Sequence, residues 1–299
     1  MTAPSLPHGI YPYLVSPVRD DGSIDDAVLS RLVDDLVEAG VDGLTPLGST
    51  GEIMYLTPDQ RRRIVEVTLE AAAGRVPVVP GVAAFSVSDG IEQARLWEKL
   101  GAAGIVAMRQ NGFATSEDGA CGYFERVARA ISIPVVLYTN PALLGTDFTM
   151  AGLRRLAETP NIRYIKDATG DTGRILSLLI HVGDRLEVFS ASAHIPALVF
   201  QLGGVGWMAG PACVIPKAAR VLREHVVAGN FAAALDLQRT LWPVNEAFRK
   251  YPLAACIKTA LTLRGYAVGD PIAPQQPLGP EAEREIAAAL AAADAAVAP

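Results

Sequence analysis

The sequence predicts an α/β protein, a (β/α)8 TIM barrel followed by a helical C-terminal extension. Short β-branched runs alternate with longer segments of helical apolar spacing, at about 25–35 residues per unit, which is typical of parallel βαβ units. Eight such runs fall within about the first 210 residues, and this number favours a closed barrel over an open sheet. The segments after the eighth run are helical in pattern.

The eight predicted strands are short runs bounded by turn-forming residues, which is the pattern expected of strands. They cover residues 10–15, 43–47, 76–80, 104–108, 134–138, 162–165, 186–189 and 205–208. The sixth of them ends directly before Lys166, where turn-forming residues follow at once. A lysine in that place needs a reason, because lysine normally lies on a solvated helix face.

Capping residues mark where the predicted helices begin and end. The clearest early helical patterns cover residues 27–39 and 58–73. Residues 57–60 (TPDQ) form a capping box with proline at the first helical position. Thr149 is placed to cap a later helix, and Gly40 and Gly74 stand where the first two helices should end.

The C-terminal part of the chain is predicted to hold more helices than a bare barrel needs. The candidates cover residues 216–228, 231–251, 253–263 and 281–297, and a Gly- and Pro-rich stretch, 265–280, joins the last two. We therefore divide the chain into a barrel core, residues 1–215, and a part that contains the last barrel helix and the extension, residues 216–299. The extension could cap the barrel or form an interface.

Composition excludes several classes of partner. Half of the residues are hydrophobic (50%), and the net charge of −6 with a pI near 5.3 argues against nucleic-acid and anionic-membrane partners. The three cysteines are far apart and form no disulfide framework, as expected in a reducing compartment. The N-terminus lacks the pattern of a secretory signal, and the apolar tail is too short to cross a bilayer. We expect a cytoplasmic protein that acts on a small molecule.

Polar groups follow several of the predicted strands. In a (β/α)8 enzyme the active site lies at the carboxyl ends of the strands. The stretches that converge there are 48–52 (GSTGE), 138–141 (YTNP), 166–167 (KD), 190–192 (SAS) and 203–210 (GGVGWMAG). We expect them to share one pocket.

Lys166 is the strongest candidate for chemistry. The other four lysines, Lys99, Lys217, Lys250 and Lys258, fall in helical patterns and are expected to be solvated. A lysine inside a barrel loses hydration, so its amine becomes neutral more readily and can attack a carbonyl to form a Schiff base. The alternative is a structural pair with Asp167, and the local pattern alone leaves the two interpretations open.

Two further features could serve such a lysine, and each has a structural alternative. Tyr138 could relay protons to and from an imine, or it could be a core tyrosine with its hydroxyl bonded. Residues 48–51 (GSTG) could cradle a carboxylate with hydroxyls and backbone N–H groups, or they could be a plain turn. The four histidines show no zinc-binding spacing, so we expect no metal, and neither a GxSxG nor a GxGxxG motif is placed to act.

Four motifs stand out along the chain: GSTGE at 48–52, YTNP at 138–141, IKDATGD at 165–171 and QLGGVG at 201–206. Together they resemble the dihydrodipicolinate synthase/N-acetylneuraminate lyase family. They occur in the family's order, and the 28 residues between Tyr138 and Lys166 match the family's spacing. The likeness extends over nearly the whole chain, including the C-terminal helices.

The resemblance implies a class I, pyruvate-handling lyase on a (β/α)8 barrel, usually a homotetramer, with a covalent lysine imine in place of a cofactor. By it, Lys166 matches the Schiff-base lysine and Tyr138 the catalytic tyrosine. Ser49 and Thr50 match the hydroxyl pair that relays protons and holds the keto-acid carboxylate. The predicted substrate-binding residues are Gly48, Gly51, Arg109, Thr139, Leu143, Ser190 and Met208, the last through its backbone carbonyl.

Two departures from the family pattern argue against a true dihydrodipicolinate synthase. Leu143 stands where the synthases have an arginine that holds the acceptor's carboxylate. Residues 108–113 (MRQNGF) replace a Pro-Tyr-Tyr motif whose second tyrosine enters the site from a neighbouring subunit. Arg109 could supply a replacement cation or be a surface charge, and Leu143, Leu144 and Phe113 suggest an apolar distal pocket.

Four functions therefore stay open. The first is an aldolase or lyase that makes or breaks a carbon–carbon bond of pyruvate or a 2-keto acid, with an aldehyde as a possible acceptor. The second is a dehydratase of 2-keto-3-deoxy sugar acids with the same imine, for which Arg109, Gln110, Asn111 and Thr139 could bind hydroxyls. The third is a synthase-like condensation. The fourth is a non-catalytic binding or regulatory barrel. A homo-oligomer, either a dimer or a tetramer, is expected in each case.

Overall fold

The computed structural model describes residues 5–141, 145, 147–192 and 194–298. In these residues seven strands form one parallel sheet: β1 (Gly9–Pro12), β2 (Gly81–Ala84), β3 (Ile105–Arg109), β4 (Val135–Thr139), β5 (Ile162–Asp167), β6 (Glu187–Ser190) and β7 (Gly206–Ala209). Their order is β1-β7-β6-β5-β4-β3-β2, and every pairing is parallel.

Residues 43–47 close the sheet into a barrel. Parallel bridges join Thr45 to Tyr13, just after β1, and Leu44 to Val78, just before β2. The Leu14 N–H donates to the Thr45 carbonyl at 3.1 Å, and the Val79 N–H donates to the Leu44 carbonyl at 2.8 Å. The segment thus holds the place of the predicted second strand, but it forms isolated bridges instead of a continuous ladder.

Prolines explain why the two strand predictions on this side are imprecise. Pro46 cannot donate a backbone hydrogen bond, and Leu47 has a φ of 62°, so the ladder ends there. The third strand was predicted at 76–80 but lies at Gly81–Ala84. Pro77 and Pro80 interrupt the predicted run, and regular pairing begins only after them.

Helices alternate with the strands around the barrel. They are α1 (Asp26–Glu38), α2 (Pro58–Ala72), α3 (Val87–Leu100), α4 (Glu117–Arg129), α5 (Met150–Ala157), α6 (Thr172–His181), α7 (Pro196–Gln201) and α8 (Pro216–Val227). The predicted capping box is present: the Gln60 N–H donates to Thr57 at 3.2 Å, and the Thr57 N–H donates to Gln60 at 2.8 Å. Thr149 caps α5 by accepting from the Gly152 N–H.

Three helices follow the barrel: α9 (Phe231–Lys250), α10 (Leu253–Leu263) and α11 (Pro280–Ala295). Helix α9 contacts α8 and α11, and α10 contacts α11, so the extension packs as a unit beside the last barrel helix. The predicted (β/α)8 barrel with a helical C-terminal extension is confirmed. The division of the chain at residue 215 stays a prediction.

Candidate active site

Lys166 is buried at the carboxyl end of β5. Only 3% of its surface is exposed, and it lies beside Tyr138 of β4 in the register of the sheet. Asp167 follows it directly and therefore points to the opposite face of the strand. There the Asp167 carboxylate accepts hydrogen bonds from Arg174 at 2.7 Å and Thr139 at 3.2 Å. The alternative of a Lys166–Asp167 pair is therefore wrong.

Two tyrosine rings enclose the Lys166 amine. Its Nζ lies 4.1 Å from the ring centroid of Tyr13 and 4.0 Å from that of Tyr138. Among the described residues Lys166 forms no ion pair, and burial lowers its pKa to about 7. The ring faces stabilise the ammonium form, but the loss of hydration dominates. A substantial fraction of the amine is therefore neutral near neutral pH, as a nucleophile requires.

The Tyr138 hydroxyl belongs to a short hydrogen-bonded group. The Asn140 amide donates to it at 2.9 Å, and Ser49 also hydrogen-bonds to it. Burial raises the pKa of Tyr138, and these two hydrogen bonds partly oppose the rise. The phenol is therefore protonated at neutral pH and is connected to Ser49, an arrangement that allows a proton relay.

The loop at residues 48–52 (the hydroxyl loop) carries Ser49 and Thr50 to the same place. Gly48 lies so close to the Tyr13 ring that an added Cβ would approach a ring carbon to 1.9 Å. Gly51 is held by Ser16, whose hydroxyl donates to the Gly51 carbonyl at 2.6 Å. Both glycines thus shape the loop, and Ser49 and Thr50 between them line the cavity.

A buried ion pair fastens the hydroxyl loop to the C-terminal extension. The Lys258 Nζ of α10 lies 2.8 Å from the Glu52 carboxylate, and both side chains are at most 1% exposed. Lys258 also donates to the Asp270 carbonyl at 2.7 Å, and Gln275 donates to Glu52 at 2.7 Å. The prediction that Lys258 is solvated is therefore wrong, because its helical pattern faces the interior of the molecule. Lys99, Lys217 and Lys250 are exposed as predicted.

The Lys166 amine, the two tyrosines around it and the hydroxyl loop line a cavity of about 370 Å³. Its reactive wall holds Lys166, Tyr138, Tyr13, Ser49 and Thr50. The rest of its lining comes mainly from the C-terminal extension and from the ends of β6 and β7, and includes Ser192, Asn245, Phe248, Arg249, Leu253 and Gln275. The sequence predicted Ser192 at this pocket, through the stretch 190–192, but not Tyr13 or the residues of the extension. A larger depression of about 620 Å³, between α1, α8 and α10, contains none of the reactive residues.

Most of the predicted binding residues adjoin the cavity or lie apart from it and are not part of its lining. Four catalytic candidates line the cavity, whereas Gly48, Gly51, Arg109, Thr139, Ser190 and Met208 are not among the described residues that line it. Thr139 is tied to Asp167, and Arg109 donates to Asn111 and Thr115 of its own loop. Phe113 is 90% exposed, so it forms no apolar pocket wall, and Leu143 and Leu144 lie outside the described residues.

Comparisons with known proteins place the chain in a family. Residues 6–293 match the sequence model of the Dihydrodipicolinate synthetase family. The chain belongs to this family. It is 32% identical over 283 residues to the 4-hydroxy-tetrahydrodipicolinate synthase of Acidiphilium cryptum, covering 95% of this chain and 97% of the relative.

Solved structures of the family share the whole architecture. A putative dihydrodipicolinate synthetase from Pseudomonas aeruginosa has a TM-score of 0.91 and 30% identity, covering 96% of this chain and 99% of that one. YagE, a prophage protein of the dihydrodipicolinic acid synthase family from Escherichia coli K12, solved in complex with pyruvate, has a TM-score of 0.91 and 29% identity. That match covers 97% of this chain and 99% of YagE. The predicted enzyme class, a class I aldolase-type lyase, is confirmed by family membership.

None of the described helices is long and apolar enough to cross a membrane. No cluster of three or more His, Cys, Asp or Glu side chains in the described part of the chain could hold a metal ion.

Proposed function

We propose that Lys166 forms an imine with the C2 carbonyl of pyruvate or another 2-keto acid, and that the enzyme makes or breaks a carbon–carbon bond beside that imine. The proposal rests on the environment of the Lys166 amine, which favours its neutral form. It is buried in a cavity wall, it has no ion-pair partner among the described residues, and its pKa is lowered to about 7. This is the environment that activates a lysine as a nucleophile.

The proposed reaction needs three kinds of group. The neutral amine attacks C2 to give a carbinolamine, which loses water to form the protonated imine. The imine then accepts the electron pair of the bond between C3 and C4 as that bond breaks, which gives an enamine with a C2=C3 double bond. The enamine returns the electron pair from C3 when a new bond forms there. Tyr138, linked to Ser49, supplies and removes the protons, while the hydroxyls of Ser49 and Thr50 hold the carboxylate. The covalent adduct makes a separate cofactor unnecessary.

A second candidate, dehydration of a 2-keto-3-deoxy sugar acid, is favoured by further polar groups that line the cavity. Ser192, Asn245 and Gln275 offer hydroxyl and amide groups to a polyhydroxylated substrate, and Arg249 adds a cation. These residues replace the earlier candidates Arg109 and Thr139, which bond within their own surroundings. A synthase-like condensation is less well supported, because the stretch at 108–113 has no tyrosine.

Borohydride trapping tests the imine. The protein is incubated with pyruvate and sodium borohydride, and its intact mass is measured. We expect one reduced pyruvate adduct on the wild type and none on Lys166→Ala. An unmodified wild type, or equal labelling of the variant, would refute the proposal.

Product analysis then separates the reactions. With a 2-keto-3-deoxy sugar acid, an aldolase releases pyruvate and an aldehyde, whereas a dehydratase releases water and keeps the carbon chain intact. We expect pyruvate and an aldehyde, the products of an aldolase. A dehydrated product with its carbon chain intact would instead show that the enzyme is a dehydratase. Complete lack of turnover with trapping intact would favour a binding barrel.

The oligomeric state remains a proposal. Several large apolar side chains on one side of the barrel are exposed in the single chain, among them Met54, Tyr55 and Phe85. Such side chains fit a homo-oligomer, either a dimer or a tetramer. Light scattering of the purified protein distinguishes these assemblies from a monomer.

A further inference from the structure

Tyr13 is a buried residue of the active-site cavity for which the proposed reaction has no role. It follows β1 directly, is 1% exposed, and lines the cavity beside Lys166 and Tyr138. Its ring lies 4.1 Å from the Lys166 Nζ. Gly48 accommodates it, because any side chain at that position would overlap the Tyr13 ring.

The Tyr13 hydroxyl is the unusual feature. It is buried and has no hydrogen-bond partner among the described residues. Other buried tyrosines of the barrel are bonded: Tyr11 donates to the Pro7 carbonyl at 2.8 Å, Tyr123 donates to the Met108 carbonyl at 3.0 Å, and Tyr164 accepts from the Leu6 N–H at 2.7 Å. A buried polar group without a partner is costly, so such a group in a binding site points to an acceptor supplied by the ligand.

We propose that Tyr13 is a second substrate-contacting phenol of the active site, and that its hydroxyl donates a hydrogen bond to an oxygen of the bound 2-keto acid. This inference rests on the proposed imine at Lys166. Tyr13 lines the same cavity as Lys166, whose amine would hold C2 of the substrate. The keto acid carries its carboxylate on C2, so it brings acceptor oxygens close to Tyr13. Tyr13 therefore selects for a 2-keto acid over a simple ketone or aldehyde.

The test compares Tyr13→Phe with the wild type. The substitution keeps the ring on Lys166 and removes only the hydroxyl. We expect the pyruvate concentration that gives half-maximal borohydride trapping to rise about tenfold, the loss of one hydrogen bond, while trapping at saturating pyruvate stays complete. Trapping with acetone, which lacks the carboxylate, is expected to change much less. Thermal stability is expected to stay unchanged or rise, because the lost hydroxyl has no partner in the fold.

Tyr11→Phe is the matched control. Tyr11 lies in β1 two residues earlier, is equally buried, and donates to a backbone carbonyl. We expect it to lose thermal stability without a change in the pyruvate dependence.

The outcomes are separable. An unchanged or lower half-maximal pyruvate concentration in Tyr13→Phe, with the wild type trapped normally, would overturn the assignment of Tyr13 alone. An equal rise for pyruvate and acetone would also overturn it, since this result indicates a general effect on the amine. A wild type that is not trapped at all would overturn the proposed function and this inference together.

Discussion

Lys166 shows how burial converts an ordinary side chain into a reactive one. Its reactivity depends on the closeness of its Nζ to the rings of Tyr13 and Tyr138, and on the lack of an ion-pair partner among the described residues. The local sequence predicts neither. The sequence predicted that Lys166 lies at a strand end. It could not exclude an ion pair between Lys166 and Asp167, because consecutive residues in a loop can pair with each other. The strand continues to Asp167, so the two side chains face opposite ways and the alternative fails.

The lowered pKa of Lys166 makes a prediction for stability. Burial lowers the pKa of Lys166 to about 7 in the fold, from its ordinary value of 10.5. Between these values the unfolded chain binds more protons than the fold, so stability rises with pH, and the penalty is fully present below pH 7. We expect Lys166→Met to stabilise the fold by about 3–5 kcal/mol at or below pH 7, with a gain that disappears toward pH 10.5. Urea denaturation across this range checks it, and a gain independent of pH would contradict it.

Tyr138→Phe is expected to separate imine formation from later proton transfers. The variant keeps the ring over Lys166 but loses the hydroxyl that Asn140 and Ser49 contact. We expect turnover to fall by about 10²–10⁴-fold while borohydride trapping with saturating pyruvate persists, since the amine is still present. Steady-state assays and intact mass on one preparation measure both. Undiminished turnover would remove Tyr138 from the mechanism.

At the scale of elements, local signals predicted helices better than strands. Caps such as Thr57 and Thr149 act through the next three residues, so the sequence locates them closely. The strand bounds near Pro46, Pro77 and Pro80 were predicted less closely. They depend on which backbone N–H groups bond to a neighbouring strand, and that strand is far away in the sequence. The buried state of Lys258 was missed for the same reason, because its partner Glu52 lies in another element.

The Glu52–Lys258 pair makes a prediction for the link between the hydroxyl loop and α10. Lys258→Met leaves the Glu52 carboxylate buried without its cation, and we expect a loss of about 3–5 kcal/mol in the free energy of unfolding. Adding Glu52→Gln should recover most of this loss, because the uncompensated charge is gone. Chemical denaturation of Lys258→Met, Glu52→Gln and the double variant gives the coupling free energy between the two side chains.

The exposed Lys250–Glu285 pair is the control for this cycle. It joins α9 and α11 at the surface, where solvent screens the two charges. We expect no measurable loss of stability for Lys250→Ala. A Lys258→Met variant as stable as Lys250→Ala would contradict the account of the buried pair.

At the scale of the whole molecule, the extension does more than lengthen the barrel. It contributes a large part of the lining of the cavity that holds Lys166. The sequence predicted the extension and its helices, as well as Lys166, Tyr138, Ser49 and Thr50. It did not predict Asn245 or Arg249 of α9, because a helix pattern does not tell which turn will meet a distant strand end. It did not predict Gln275 either, because the path of the loop between α10 and α11 is set by packing and not by a local pattern.

Arg249 is expected to act on the distal part of the substrate. It adds a positive charge to the part of the cavity lining that the C-terminal extension contributes. We expect Arg249→Ala to raise the KM for 2-keto-3-deoxy sugar acids by about tenfold, while half-maximal trapping by pyruvate is unaffected. Lys250→Ala is the neighbouring control, since Lys250 points to Glu285 instead. Equal effects on pyruvate and on the longer acids would contradict the assignment.

Site mapping of the borohydride-reduced adduct tests the central claim most directly. After reduction with pyruvate the protein is digested, and the modified lysine is identified by peptide mass spectrometry. The imine account predicts a single adduct at Lys166, with Lys258 unmodified because its amine is paired with Glu52. An adduct at any other lysine, or no adduct at saturating pyruvate, would contradict the account.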